Sequence, residues 1–201
     1  MIYLYSGTPG SGKSLDIAHR IYWALRTGNK YVICNFNVNL DSIKHCHKDN
    51  FVYIDNSKMN PDVLMKISKE YFKNHKFKEG KIFLIIDECQ LLFNAREWNT
   101  KGRAEWLSFY TQHRKLGFDV FLVAQFDQMI DKQIRSLIEY QYIHRKVSNF
   151  GFGGKLINSF AGGKLFVSVK VWYPLGEKIG SEFFKASKKY YSIYDTYNTF
   201  D

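Results

Sequence analysis

Between Ile2 and Leu15 the chain reads IYLYSGTPGSGKSL, a short apolar run through Tyr5, a turn with three glycines, and a helical pattern that opens at Ser14. Strand, tight turn and helix in that order commit the chain to an α/β unit, and such units assemble as parallel sheets covered by helices. The turn itself, Gly7-Thr8-Pro9-Gly10-Ser11-Gly12-Lys13-Ser14, has the G-x-x-x-x-G-K-[ST] spacing. Glycine is needed there because the chain must curl around an anion at φ/ψ values that a Cβ obstructs. Successive N–H groups of such a loop point inward as a nest for phosphate oxygens. The start of the helix adds unpaired donors and the positive end of its dipole. In that arrangement Lys13 reaches the β- and γ-phosphates and the Ser14 hydroxyl ligates Mg²⁺. Gly7, Thr8, Pro9, Gly10, Ser11, Gly12, Lys13, Ser14 and Leu15 are the expected nucleotide-binding residues, with ATP and Mg²⁺ as ligands.

A second pattern completes the first. Lys81-Ile82-Phe83-Leu84-Ile85-Ile86-Asp87-Glu88 is a continuous apolar run that ends in two carboxylates. Such a run suits a strand buried on both faces of a parallel sheet, and ligands bind at the carboxyl ends of those strands. Asp87 is placed to hold Mg²⁺ together with Ser14, as a Walker-B aspartate does. Glu88 is placed to polarise an attacking water as general base. A further apolar run, Asp119 to Ala124, ends at Gln125 on the same expected edge. Two readings of Gln125 stand open: a side chain that senses the γ-phosphate or orients water, and an ordinary turn residue before Asp127.

The remaining periodicities predict strands at 31–36 and 51–54, a helix from Leu15 to Gly28, and a helix opened by Pro61. Residues 91–99 read as a loop or short helix, 102–116 as a helix ended by Gly117, and 129–140 as a helix. From Tyr140 the pattern alternates with period two, as it does again over 164–173, with glycine-rich residues 149–163 between them as a hairpin loop. Residues 181–184 allow one more strand. The expected fold is α/β, a P-loop NTPase core over residues 1–139 with a mostly parallel sheet. Residues 140–201 form an antiparallel β extension and tail of the same domain.

The net charge of +10 suggests a polyanionic partner, although the lysines and arginines are dispersed rather than gathered in one run. Cys34, Cys46 and Cys89 are too irregularly spaced for a disulfide framework or a CxxC pair. His45-Cys46-His47 lacks a second ligand cluster, and neighbours in sequence cannot converge on one zinc ion. No run of about eighteen apolar residues is present and no signal-peptide pattern opens the chain. Reduced cytosol is the expected compartment.

The adjacent Asp-Glu pair favours attack by water over transfer to a substrate hydroxyl, and no guanine-reading N/T-K-x-D segment is found. With these motifs in place, GTPGSGKSL, ICNFNVN, FLIIDEC, HRKLGFDVFLVAQ and KKYYSIYDTYN together resemble the zonular occludens toxin family, which includes the filamentous-phage assembly ATPases. The resemblance covers nearly the whole chain. It implies Walker roles for Lys13, Ser14, Asp87 and Glu88, and a strand-end role for Gln125. It further implies a homo-oligomeric ring at the inner face of the host inner membrane that handles single-stranded DNA and coat or membrane assembly proteins. In such a ring a neighbour's arginine completes each site; Arg96, Arg103, Arg114 and Arg135 are the candidates. Family members usually continue into a membrane-spanning segment. On this reading the chain is a trimmed domain or a short relative that is peripheral to the membrane. The alternatives are a nucleic-acid-binding scaffold whose binding is gated by nucleotide, and a nucleotide kinase.

Overall fold

Alternation along the strands decides the layering. Ile2 and Leu4 of β1 (Ile2–Ser6) join one buried cluster and Tyr5 joins the other. The same split sends Ile82, Leu84 and Ile86 of β4 (Ile82–Ile86) to the first cluster and Ile85 to the second. Strand β5 (Phe118–Val123) divides likewise, with Val120 and Leu122 on one side and Phe121 and Val123 on the other. Strands that are apolar on both faces must be covered on both, which is why these runs read as continuous rather than alternating.

The computed structural model describes residues 1–94, 100–160 and 162–194. The strands form one eight-stranded sheet in the order β3-β2-β4-β5-β1-β6-β7-β8, with β2 (Tyr31–Cys34), β3 (Phe51–Tyr53), β6 (Tyr140–Lys146), β7 (Leu165–Trp172) and β8 (Glu177–Lys185) as the other members. One face is covered by α1 (Lys13–Thr27), whose Ile17, Ala18, Ile21 and Leu25 are buried. The other carries α2 (Pro61–Lys73), α3 (Thr100–Gln112) and the single-turn α4 (Lys132–Arg135), through Leu64, Phe109, Tyr110 and Ile134. A short α6 (Lys188–Tyr191) lies against α1, with Tyr190 packed edge-on to His19 and Tyr22. Among the described residues no helix is long and apolar enough to cross a membrane.

Three expectations need revision. Residues 129–140 are not one helix: a 3-10 turn at Asp127–Met129 is followed by α4 alone. Asp131 accepts from the backbone N–H groups of Gln133 and Ile134, which starts the helix at once, and Tyr140 is taken by pairing with Tyr3 of β1. Strand β6 is not wholly part of an antiparallel annex, since it runs parallel to β1 and antiparallel to β7 and so belongs to both regimes. Residues 149–163 are not an open hairpin loop but contain α5 (Gly151–Phe160), which the glycines concealed.

Helix α2 shows a local rule at full strength. Asn60 holds an extended backbone, its side chain accepts from the Val63 N–H at 3.0 Å, and Pro61 occupies the first helical position. Asn60→Ala is expected to lower stability by about 1 kcal/mol, read as a lower urea midpoint at unchanged slope. An unchanged midpoint would show the cap to be idle.

Candidate active site

Parallel pairing sets the site's position before any side chain is considered. Strands β2, β4, β5, β1 and β6 all run the same way, so their carboxyl ends share one rim. The loop from Gly7 to Gly12 leaves β1 at that rim and returns as α1. It is pinned by the Gly7 N–H donating to the Gln125 carbonyl at 3.1 Å and the Ser11 N–H donating to the Thr8 carbonyl at 3.1 Å. Gly12 sits at φ 100° immediately before the helix, and a Cβ there would lie 2.8 Å from the Phe166 ring. Both conformation and space demand glycine.

A cavity of about 430 Å³ opens on this rim. Pro9, Gly10, Ser11, Gly12, Lys13, Ser14 and Leu15 line one side, and Asp87, Glu88 and Gln125 line another. Gly7 and Thr8 fall behind the loop, on a second cavity shared with Gln125, His144 and Arg145. Lys13 is buried and folds back over its own loop, donating to the Gly7 carbonyl at 2.6 Å and the Thr8 carbonyl at 3.3 Å. Burial pushes its ammonium pKa down, and the charges of Asp87 and Glu88 partly offset this. A cation held by neutral carbonyls and short of solvent favours an anion placed within its reach.

Asp87 is only 7% exposed and stands one residue past β4. Its carboxylate accepts from the Glu88 N–H at 2.8 Å and from the Tyr194 hydroxyl through a very short hydrogen bond. Its backbone is clamped by Asn35, whose side chain accepts from the Asp87 N–H at 2.7 Å and donates to the Asp87 carbonyl at 2.8 Å. Burial raises the Asp87 carboxyl above the usual carboxylate range, against the pull of Tyr194 and the Glu88 amide. Tyr194 is raised strongly as well, by burial and by the neighbouring Asp87. Glu88 adopts the left-handed conformation at φ 45°, rare for a residue with a Cβ. The bend turns its N–H onto Asp87, and its side chain accepts from the Gln90 amide in a very short bond. Ser14 and Asp87 supply hard oxygen donors to one cavity, which fits the habit of Mg²⁺ to take one or two protein oxygens and complete its shell from phosphate and water.

Two residues at this site, both inside segments that carry the family resemblance, had no role assigned from the sequence. Asn35 is a polar residue at the end of an apolar strand, and only the pairing of β2 with β4 brings it to Asp87. Tyr194 lies 107 residues from Asp87, in a tail whose Tyr190 and Tyr191 also line the cavity. Of the candidate arginines, Arg103 pairs with Asp131 at 3.0 Å and Arg114 pairs with Glu139 at the rim opposite the loop. Arg135 lies half-buried in α4, and Arg96 falls outside the described residues.

A charge test follows from the raised carboxyl. Asp87→Asn removes the charge while its amide can still accept from the Glu88 N–H and donate to the Tyr194 hydroxyl. Between the ordinary carboxylate range and the raised folded value, the folded chain binds more protons than the unfolded one, so stability falls as pH rises through that window. The variant is expected to melt above the parent at pH 8, with the gap closing in acid below the ordinary carboxylate range. Equal melting curves at pH 8 would refute a carboxylate that burial has made costly.

With the geometry in hand, comparison with known proteins becomes informative. A family model described as zonular occludens toxin (Zot) matches residues 1–200. The Gene 1 protein of Enterobacteria phage I2-2 is 31% identical over 170 residues, which cover 82% of this chain and 46% of that protein. The chain thus spans just under half the length of this phage relative. Among solved structures, the N-terminal domain of zonular occludens toxin from Neisseria meningitidis superposes with a TM-score of 0.58 at 21% identity, over 96% of this chain and 98% of that one. The genome packaging NTPase of Sulfolobus turreted icosahedral virus 2, in complex with ATP-gammaS, superposes with a TM-score of 0.53 at 18% identity, over 92% and 96% of the two chains. At such identities these two likenesses speak for the fold, that of a P-loop NTPase domain. A match that runs through both Walker strands and on to the tail places the chain in a family: it belongs to the zonular occludens toxin family.

Proposed function

We propose that the chain is the ATP-hydrolysing motor domain of a filamentous-phage assembly protein. The observation that carries this is the convergence of Lys13, Ser14, Asp87, Glu88 and Gln125, from three separate strand ends, on one cavity. Likeness to a phage Gene 1 protein and to a packaging NTPase seen with ATP-gammaS supports the same reading.

In the proposed mechanism the loop amides and the α1 N-terminus receive the triphosphate, and Lys13 exchanges the Gly7 and Thr8 carbonyls for β- and γ-phosphate oxygens. Ser14 and Asp87 would hold Mg²⁺, which when bound would supply positive charge against the developing charge of the phosphates. To hold the metal through the oxygen that accepts from Tyr194, Asp87 would share or release that hydroxyl, which would couple metal entry to the tail. Glu88 accepts the proton of the attacking water once released from Gln90, and Gln125 orients that water from the end of β5. Work is done by a ring of such domains at the inner face of the inner membrane, with an arginine of the neighbouring protomer at each site and single-stranded DNA or coat protein as the load.

Three substitutions test the scheme. Lys13→Ala is expected to weaken ATP binding by about tenfold or more, as a buried charge-assisted phosphate contact is lost. Glu88→Gln should keep ATP binding and lose about 10²–10⁴-fold in turnover. Unchanged ATP affinity in the first, or unchanged phosphate release in the second, defeats the motor. Retained function in Glu88→Gln would instead favour a nucleotide-gated nucleic-acid scaffold, the reading that the +10 charge supports. Tyr194→Phe frees Asp87, so half-maximal turnover should need less Mg²⁺ than in the parent. An unchanged Mg²⁺ requirement would separate the tail from metal entry.

A further inference from the structure

Helix α5 turns its apolar side chains away from the protein. Its inward face is Gly154 and Asn158, one helical turn apart and both buried. Gly154 lies so close to the preceding turn that a Cβ would stand 2.3 Å from the Val147 carbonyl oxygen, and the Asn158 side chain accepts from the Leu165 N–H at 3.0 Å. The outward face carries Phe152, Leu156 and Phe160 at i, i+4 and i+8, with Ile157 beside them. Phe152 is 84% and Phe160 86% exposed, and Leu156 and Ile157 are each exposed by half or more. A helix on a water-facing surface has the opposite polarity, with its apolar stripe against the core.

Histidine aside, the charged side chains of the stretch that contains the helix are all lysine or arginine. From Tyr140 to Gly176 there is no Asp or Glu, while Arg145, Lys146, Lys155, Lys164 and Lys170 fall in the same stretch. Lys146 ends β6, Lys164 precedes β7, and Lys185 pairs opposite Leu165, so three of the lysines gather where α5 joins the sheet. Lys155 projects from the helix itself and is exposed, as are Lys164 and Lys185.

We infer that α5 is a membrane-surface helix, which seats Phe152, Leu156 and Phe160 among the acyl chains of an anionic bilayer while the surrounding lysines hold the headgroups. Apolar anchors on one face with cations at their flanks are what an interfacial helix requires, and each cation near an anionic surface adds attraction that salt weakens. A second copy packed α5 against α5 is a poorer occupant, because it would bring the same exposed lysines, Lys155, Lys164 and Lys185, against each other. Single-stranded nucleic acid is poorer too, since Leu156 and Ile157 offer no ring for base stacking. The inference rests on the proposed site of action for the choice of membrane, and on α5 alone for the contact. Its consequence for that function is positional: α5 joins the strand ends that frame the nucleotide loop, so the catalytic rim would lie toward the lipid.

The test is co-sedimentation of the full chain, without nucleotide, with phosphatidylglycerol/phosphatidylcholine vesicles and with phosphatidylcholine vesicles. Binding is expected on the anionic vesicles and to be about tenfold or more weaker on the neutral ones, and Phe152→Ser/Phe160→Ser should lose about tenfold or more on the anionic vesicles. ATP binding by the double variant reports its fold, since neither residue lines the nucleotide cavity. Absence of vesicle binding, or equal binding by parent and double variant, overturns the inference. So does a double variant that loses a single-stranded oligonucleotide, or changes its oligomeric size, while its vesicle binding is unchanged. Failure of ATP turnover would sink the motor and leave this result standing, and failure on vesicles would leave turnover untouched.

Discussion

A carboxylate taken out of water must be solvated by the protein instead, and at Asp87 three separate parts of the chain around the cavity at the strand ends serve that need. The Glu88 amide is turned onto it by a left-handed bend, the Asn35 side chain clamps its backbone on both sides, and the Tyr194 hydroxyl closes the remaining direction. Each of these arrangements constrains a different part of the chain: the exit of β4, the exit of β2, and the path of the tail. Removing one ligand leaves an uncompensated charge, which costs more than the bond itself. A carboxylate buried at the end of β4 is therefore also the group that organises its surroundings.

Sheet order explains how so many segments reach one place. Because β2, β4, β5, β1 and β6 are parallel, each delivers its C-terminal residue to the same rim. The switch to antiparallel pairing at β7 has a second effect, since the β6–β7 connection is then made at that rim as well. Helix α5 and the tail after β8 both arise there, one at the edge of the loop region and one across the cavity mouth.

Legibility in the sequence followed the range of the interactions. The loop at 7–14, the β4 carboxylates and the core strands were readable because each is encoded in fewer than ten consecutive residues. Helix α2 was readable from Pro61 and the spacing of its apolar side chains, and its cap at Asn60 is equally local. Helix α5 was hidden because three of its first four residues are glycine, which reads as loop, and because its apolar stripe points outward where the usual logic expects polar groups. The break in 129–140 was hidden because Asp131 looks like any polar residue until its side chain is seen capping a new turn. Asn35 and Tyr194 could not be found at all from spacing, since their role depends on strands and tail meeting Asp87 across 52 and 107 residues.

That last bond ties the cavity to the tail. Tyr194 is tied to Phe36 by ring packing and to Asp87 by its hydroxyl, and the Asn39 N–H holds the carbonyl of the preceding Ile193. Tension applied to the polypeptide past this point would first be felt by those three attachments. With the bond in place the hydroxyl helps to hold the buried carboxyl's pKa down; a tug that broke it would leave burial less opposed and push that pKa further up. Mechanical displacement at one end of the chain and electrical state at the end of β4 would then be two readings of a single coordinate.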